Sequence, residues 1–174
     1  EEALNHDAGL SEKWYAQSHK YDNWSDIEVP AYWHTTSLND PIGVVWFKQT
    51  FELDELPKQK SIIFLGPIDD EDTVWINGVE VGSTKIYNAP RVYNIPLEAL
   101  RKGKNTITVR VYNSQGGGGI YGKTDDLFVQ SDNTKIKING IWKHKASVIN
   151  HQFSYVLVAP NALNSLLFNS MINP

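Results

Sequence analysis

Eight consecutive residues, Gly117-Gly118-Gly119-Ile120-Tyr121-Gly122-Lys123-Thr124, match the phosphate-loop spacing Gly-x4-Gly-Lys-Thr. In that chemistry backbone N–H groups wrap phosphates, the lysine supplies counter-charge and the threonine hydroxyl holds magnesium. A strand reading over Thr106 to Tyr112 precedes the match, as the motif requires. The residues after Thr124 do not fit. A phosphate loop opens a helix whose N-terminus faces the anion. Here Asp125-Asp126-Leu127-Phe128-Val129-Gln130 reads as a strand led by two carboxylates, which repel phosphate. The run is therefore read as a glycine-rich loop of a β domain, with no nucleotide and no other cofactor implied.

The acidic cluster Asp69-Asp70-Glu71-Asp72 is the next candidate. Paired carboxylates suit glycosidase acid/base work or calcium. Asp70 and Asp72 share strand parity with Val74 and Ile76, so they face partly inward. An inward carboxylate needs a cation, because an unpaired buried charge is costly. Arg91 and Arg110 are the available partners. A structural ion pair among Asp70, Asp72 and Arg91 is the preferred reading, with calcium and ligand contact as the alternatives. The histidines His6, His19, His34, His144 and His151 show no zinc spacing. No serine sits in Gly-x-Ser-x-Gly, and no aspartate lies three residues before a histidine. No catalytic residue and no metal ligand is assigned. Asn23-Trp24-Ser25 is a glycosylation sequon of the kind that arises by chance in a chain this long.

Aromatic residues near turns offer a sugar platform, since rings stack on sugars while Asn and Asp bond hydroxyls. Trp33, Tyr87, Asn88 and Tyr121 are the candidate glycan contacts, with Tyr32 beside them; packing in the core or at its rim is the competing reading.

The elements that position these residues are strands. Val45, Phe47, Phe51 and Leu53 alternate with polar residues, as do Ile107, Val109 and Val111. Asn77-Gly78 after Val74-Trp75-Ile76 signals a two-residue hairpin. Asn139-Gly140 repeats the signature. Only Leu97 to Leu100 reads as a helical turn within this stretch. Many short strands and regular turns predict an all-β fold, an antiparallel β-sandwich, over residues 25–147. Residues 1–24 are a polar lead-in with a helix predicted over Ser11 to Ser18, capped by Ser11. Residues 148–174 begin extended and end at helical spacing (Leu163, Leu166, Leu167, Met171).

Composition bounds the rest. Hydrophobic residues make up 41% of 174, enough for a core. A net charge of −4 with no basic stripe argues against nucleic acid. No apolar run approaches the ~18 residues of a membrane span. There is no cysteine, so disulfides and thiolate sites are excluded. The start at Glu1-Glu2 and the abrupt apolar end read as cuts inside a longer polypeptide.

Several segments together resemble known carbohydrate-active families. Trp24-Ser25-Asp26-Ile27-Glu28-Val29-Pro30-Ala31-Tyr32-Trp33 and Gly43-Val44-Val45-Trp46-Phe47-Lys48-Gln49-Thr50-Phe51 resemble the sugar-binding jelly-roll domain of family 2 glycosidases. A second resemblance, closer by the residues, is to the sandwich inserted into bacterial sialate O-acetylesterases of the SGNH hydrolase type. It rests on Leu65 to Asp72, Trp75 to Gly82, Pro90 to Pro96, Gly116 to Lys123, Asn139 to Lys143 and Leu167 to Pro174. It implies a jelly roll of the galactose-binding-domain type that carries no catalytic residue and borders a hydrolase domain supplied by the parent chain. That parent would remove acetyl groups from sialic acid in the periplasm or outside the cell. Sialoglycan or another sugar would be the partner. The alternative is a carbohydrate-binding module or a family 2 sugar-binding domain. An insert also predicts that residues 1–24 and 150–174 lie near each other, and that Leu167, Phe168 and Met171 seek an apolar surface.

Overall fold

The computed structural model of the chain describes residues 6–39 and 41–150. The spacing of Leu163 to Met171, the apolar tail and the proximity of the two ends lie outside the described residues. The strands are β1 (Ser25–Val29), β2 (Ala31–Tyr32), β3 (Ile42–Leu53), β4 (Ser61–Asp69), β5 (Glu71–Ile76) and β6 (Val79–Thr84), then β7 (Pro90–Ile95), β8 (Gly103–Asn113), β9 (Gly119–Ile120), β10 (Leu127–Ser131), β11 (Thr134–Lys137) and β12 (Gly140–Asn150). They form two sheets. The first runs β1-β12-β3-β8-β5-β6; the second runs β11-β10-β4-β9-β2, with β7 also on β4. The described pairings are antiparallel, and the fold is the expected all-β sandwich.

The core between the sheets is the alternation made physical. Val45, Phe47, Phe51 and Leu53 from β3 and Ile107, Val109 and Val111 from β8 are buried against Ile63, Leu65, Leu127 and Val129 of the opposite sheet. Each such side chain contributes roughly 1.5–3 kcal/mol on burial. Asn77 (φ +51°) and Gly78 (φ +90°) make the tight turn between β5 and β6, where Ile76 pairs with Val79. That is the backbone a primed hairpin turn requires. Leu97–Ala99 forms a single 3-10 turn, close to expectation.

Asn139-Gly140 behaves differently. β11 pairs with β10 in the second sheet, whereas β12 pairs with β1 and β3 in the first. The two residues therefore carry the chain from one sheet to the other instead of closing a hairpin. The crossing is fixed by burial of Ile138 and Trp142, whose indole N–H donates to the Ile138 carbonyl at 2.6 Å.

The lead-in also departs from expectation. Its helix α1 is Ala8–Ser11, not 11–18, and its cap is Asp7, whose carboxylate accepts from the Gly9 N–H. Lys13 takes φ +53°, and the Trp14 and Lys13 N–H groups bond back to the Gly9 and Leu10 carbonyls. This paired closure ends the helix. A lysine at the left-handed position hides it from a search for glycine.

Residues 6–24 then cover the outer face of the first sheet. Trp14 and Trp24 pack with Val44, Trp46 and Trp75 in a second apolar cluster. Asp7 fastens this cover. Its carboxylate also accepts from Trp46 Nε1 (3.0 Å), Arg110 Nε (2.6 Å) and Ser147 Oγ (2.6 Å). Ser147 reaches it because a bulge in β12 between Ala146 and Val148 re-aims the strand. Burial alone would raise the Asp7 pKa, but the bonds from Ser147, Arg110 and Trp46 outweigh it and hold the carboxyl below its ordinary value.

The two sheets are joined by a buried ion pair. Arg91 of β7 donates through Nε to Asp72 of β5 at 2.6 Å, and both side chains are fully buried. Burial pushes the Asp72 carboxyl up, while the Arg91 guanidinium and the Tyr93 hydroxyl pull it back. Asp70 is placed otherwise than expected. Its carboxylate accepts from the Ser114 N–H and hydroxyl, and only its backbone carbonyl meets Arg91. Arg110 serves Asp7, not the acidic cluster.

Asp72→Ala strands the Arg91 charge in the core, and urea unfolding should show a loss of about 3–5 kcal/mol; the pair Asp72→Leu with Arg91→Met should recover most of it. Because the folded Asp7 pKa is depressed, its contribution is fully present above about pH 4 and is lost as the pH falls through the folded value. Near-UV circular dichroism of the tryptophan cover should therefore show an acid transition, and Asp7→Asn should remove that pH dependence while weakening the cover at neutral pH.

Candidate functional site

The glycine-rich run forms one wall of the candidate site. Gly119-Ile120 is the short strand β9, wedged between β2 and the end of β4. A side chain at Gly118 would strike the Trp33 ring, and one at Gly119 would meet the Ala31 carbonyl. The Trp33 N–H donates to the Gly118 carbonyl at 2.9 Å. The glycines are thus required by the close approach of an indole and a neighbouring strand. After Lys123 the chain makes one 3-10 turn, Thr124–Asp126, and enters strand β10. This single turn is too short a helix to present a phosphate site.

Trp33 is a correction. At 1% exposure it lies in the core and stacks on Phe47 at 6.1 Å, so it is not a glycan contact. Tyr121 leaves the loop toward solvent and stacks on Tyr32 at 4.6 Å between ring centres. Its hydroxyl donates to the Tyr87 carbonyl at 3.0 Å, which brings the exposed Tyr87 and Asn88 loop beside it. Burial, then the neighbouring Tyr32 phenol and Asp69, push the Tyr121 phenol up, so it stays neutral and remains a donor.

A groove of about 440 Å³ opens here, lined by Glu28, Pro30, Tyr32, Thr35, Thr36 and Tyr121. The Tyr32 ring stacks with both Tyr121 and His34, the latter at 5.5 Å between ring centres. Glu28 and the two threonines supply hydroxyl-bonding groups. Glu28, Thr35, Thr36 and His34 were not legible as site residues. They become neighbours of Tyr121 only because β2 pairs with β9.

The arrangement offers binding chemistry. Asp72 is paired with Arg91, and Asp70 accepts from Ser114. Among the described residues there is no group of three or more His, Asp or Glu placed to hold a metal, and no helix is long and apolar enough to cross a membrane.

The fold and groove define a β-sandwich domain with an aromatic-edged surface. No protein-family model matches the chain. A β-glucuronidase of Paenibacillus borealis is 31% identical over 110 residues, spanning 60% of this chain and 18% of that enzyme. Among solved structures, a β-glucuronidase of an uncultured Clostridium species superposes with a TM-score of 0.54 at 19% identity, over 81% of this chain and 26% of that one. A Ruminococcus gnavus β-glucuronidase does so at 0.53 and 18%, over 78% and 25%. The chain thus spans only about a fifth to a quarter of these relatives, and the structural likeness concerns the fold. The relatives are glycosidases rather than acetylesterases, which favours the family 2 resemblance over the esterase one.

Gly118→Ala forces a methyl group into the Trp33 ring. Overpacking of this kind should cost about 1–3 kcal/mol in chemical denaturation, whereas Gly117→Ala, which meets nothing within 4 Å, should be close to neutral.

Proposed function

We propose that this chain is a non-catalytic β-sandwich domain of a larger glycoside hydrolase of the family 2 type, and that it acts there as an accessory, sugar-contacting module. The observation that carries the reading is the 31% identity to a β-glucuronidase over 110 residues, more than half of this chain and a minor part of that enzyme. Two features of the site support it. Two carboxylates of the acidic cluster, Asp72 and Asp70, are engaged by Arg91 and Ser114. The exposed groove combines ring surface with hydroxyl-bonding groups, the composition that holds sugars without reacting with them. On this reading catalysis belongs to another part of the parent polypeptide, and glycan contact is assigned to Tyr121 in the groove with Tyr87 and Asn88 beside it.

The parent polypeptide should hydrolyse p-nitrophenyl β-D-glucuronide or another p-nitrophenyl glycoside, while the isolated chain should turn over neither glycosides nor acetyl esters. Glycoside turnover by the isolated chain would overturn the non-catalytic reading. A parent active only on acetyl esters would reinstate the esterase.

A further inference from the structure

The outer face of the first sheet holds a cation that forms no ion pair among the described residues. Lys48 follows Val44 and Trp46 on the outward side of β3 and is 2% exposed. Its ammonium stands 5.1 Å from the Tyr21 ring centre and 5.9 Å from that of Trp24. Among the described residues it makes no ion pair and no hydrogen bond. Ring faces attract a cation but replace only part of its lost hydration. A buried ammonium in this state favours an added anion.

Two further lysines and a histidine stand near it, and the nearby carboxylates have partners of their own. Lys143 is the cross-strand neighbour of Lys48, and its own charge is met by Asp26 at 2.7 Å. Lys145 lies over the Trp14 ring. His19 registers this field: burial first, then Lys48 and Lys145, push its pKa down, and Glu12 opposes them only weakly. The Glu12 carboxylate is engaged by the Trp14 indole N–H.

Lys48, though buried, borders open space. It lines a groove of about 220 Å³ together with Tyr21, Asp26, Gln49, Trp142 and Lys143. The Gln49 amide is spent on the Ile141 carbonyl and the Thr50 N–H. The groove is smaller than the ~300–1,000 Å³ of ordinary ligand pockets, so it suits one ring or a short acid, not an oligosaccharide. It shares no lining residue with the Tyr32–Tyr121 groove.

We propose that this groove binds a small organic carboxylate of sugar-acid size, with Lys48 as its charge partner, the Tyr21 ring as its wall and Lys143 as a second cation. Asp26 is the competitor: it shares the groove and holds Lys143, so removing its charge frees that lysine for the ligand. Burial brings the Lys48 pKa down to about 8, in agreement with a missing anion, and the group is still protonated at neutral pH. The inference does not rest on the glycosidase reading, which is decided by the activity of the parent polypeptide.

D-glucuronate and D-glucose differ only in a carboxylate or a hydroxymethyl at one carbon, which makes them the probe and its control. With the whole chain at pH 7 and constant ionic strength, glucuronate should change tryptophan fluorescence saturably and raise Tm, and glucose should do neither. Lys48→Met removes an uncompensated charge, so it should fold, and it should lose the response. Asp26→Asn should tighten binding several-fold. The titration midpoint of the Lys48 amine, followed by NMR on the unmutated chain, should rise when glucuronate is present. Equal responses to the two sugars, an undiminished response in Lys48→Met, or a Lys48 midpoint unmoved by glucuronate would each overturn the proposal.

Discussion

The guanidinium of Arg91 is the point through which the two sheets and the candidate site hold one another. Its Nε meets Asp72 on the opposite sheet, its Nη2 meets the Asp70 carbonyl, and its Nη1 meets the carbonyls of Ile86 and Ala89. Tyr93, two residues along β7, adds its hydroxyl to the other Asp72 oxygen and accepts from Thr84. Buried charges are weak contributors to net stability but severe constraints on geometry. Here the constraint sets how β5 and β7 face each other. It also fixes the loop that carries Tyr87 and Asn88, and through the Tyr87 carbonyl it fixes Tyr121. The aromatic groove is thus positioned from the core outward, by a charge pair that solvent does not reach.

A second constraint acts on the other face of the first sheet. Antiparallel sheets commonly leave one face to water, and their strands then alternate. β3 breaks that rule, since Gly43, Val44, Val45, Trp46, Phe47 and Lys48 are all buried. The cause is the cover of residues 6–24, fastened by Asp7 to Trp46, Arg110 and Ser147. The stacked pair Trp46–Trp75, with Tyr15 stacked on Trp75, gives the cover a flat apolar seat. Lys48 is buried by the same device: the strand's outward parity places it there, and Tyr21 and Trp24 close over it.

Much of this was legible in residue order, and the parts that were not share a physical reason. The alternation in β3 and β8, the Asn77-Gly78 turn and the inward parity of Asp72 are local patterns that a strand obeys wherever it sits. The misreadings depended on contacts distant in sequence. Asn139-Gly140 has hairpin chemistry, but burial of Ile138 and Trp142 between the sheets decides its use. Ser11 has capping chemistry, but Asp7 is held by three distant donors and starts the helix first. Trp33 sits near a turn as a ligand-stacking ring would, yet glycine at 118 leaves a slot that draws the ring inward. Lys48 had no local signal at all, because nothing in β3 states that a tryptophan-rich segment will lie across it.

The phosphate-loop match shows how tertiary context converts one residue pattern into another purpose. Glycine repeats mark any place where backbone or ring must come within contact distance, and a phosphate is one such neighbour among several. In this chain the neighbour is an indole on one side and strand β2 on the other. Lys123 and Thr124, which would complete the phosphate motif, instead begin the turn that delivers β10 to the edge of β4. Tyr121, an unspecified position in the motif, becomes the residue that stacks on Tyr32 at the groove. The same economy applies to the acidic run: Asp72 spans the sheets and Asp70 ties down the segment after β8, while rings, hydroxyls and Glu28 line the groove. Both runs, whose residue types suggested chemistry, are thereby spent on holding the sheets and their loops together.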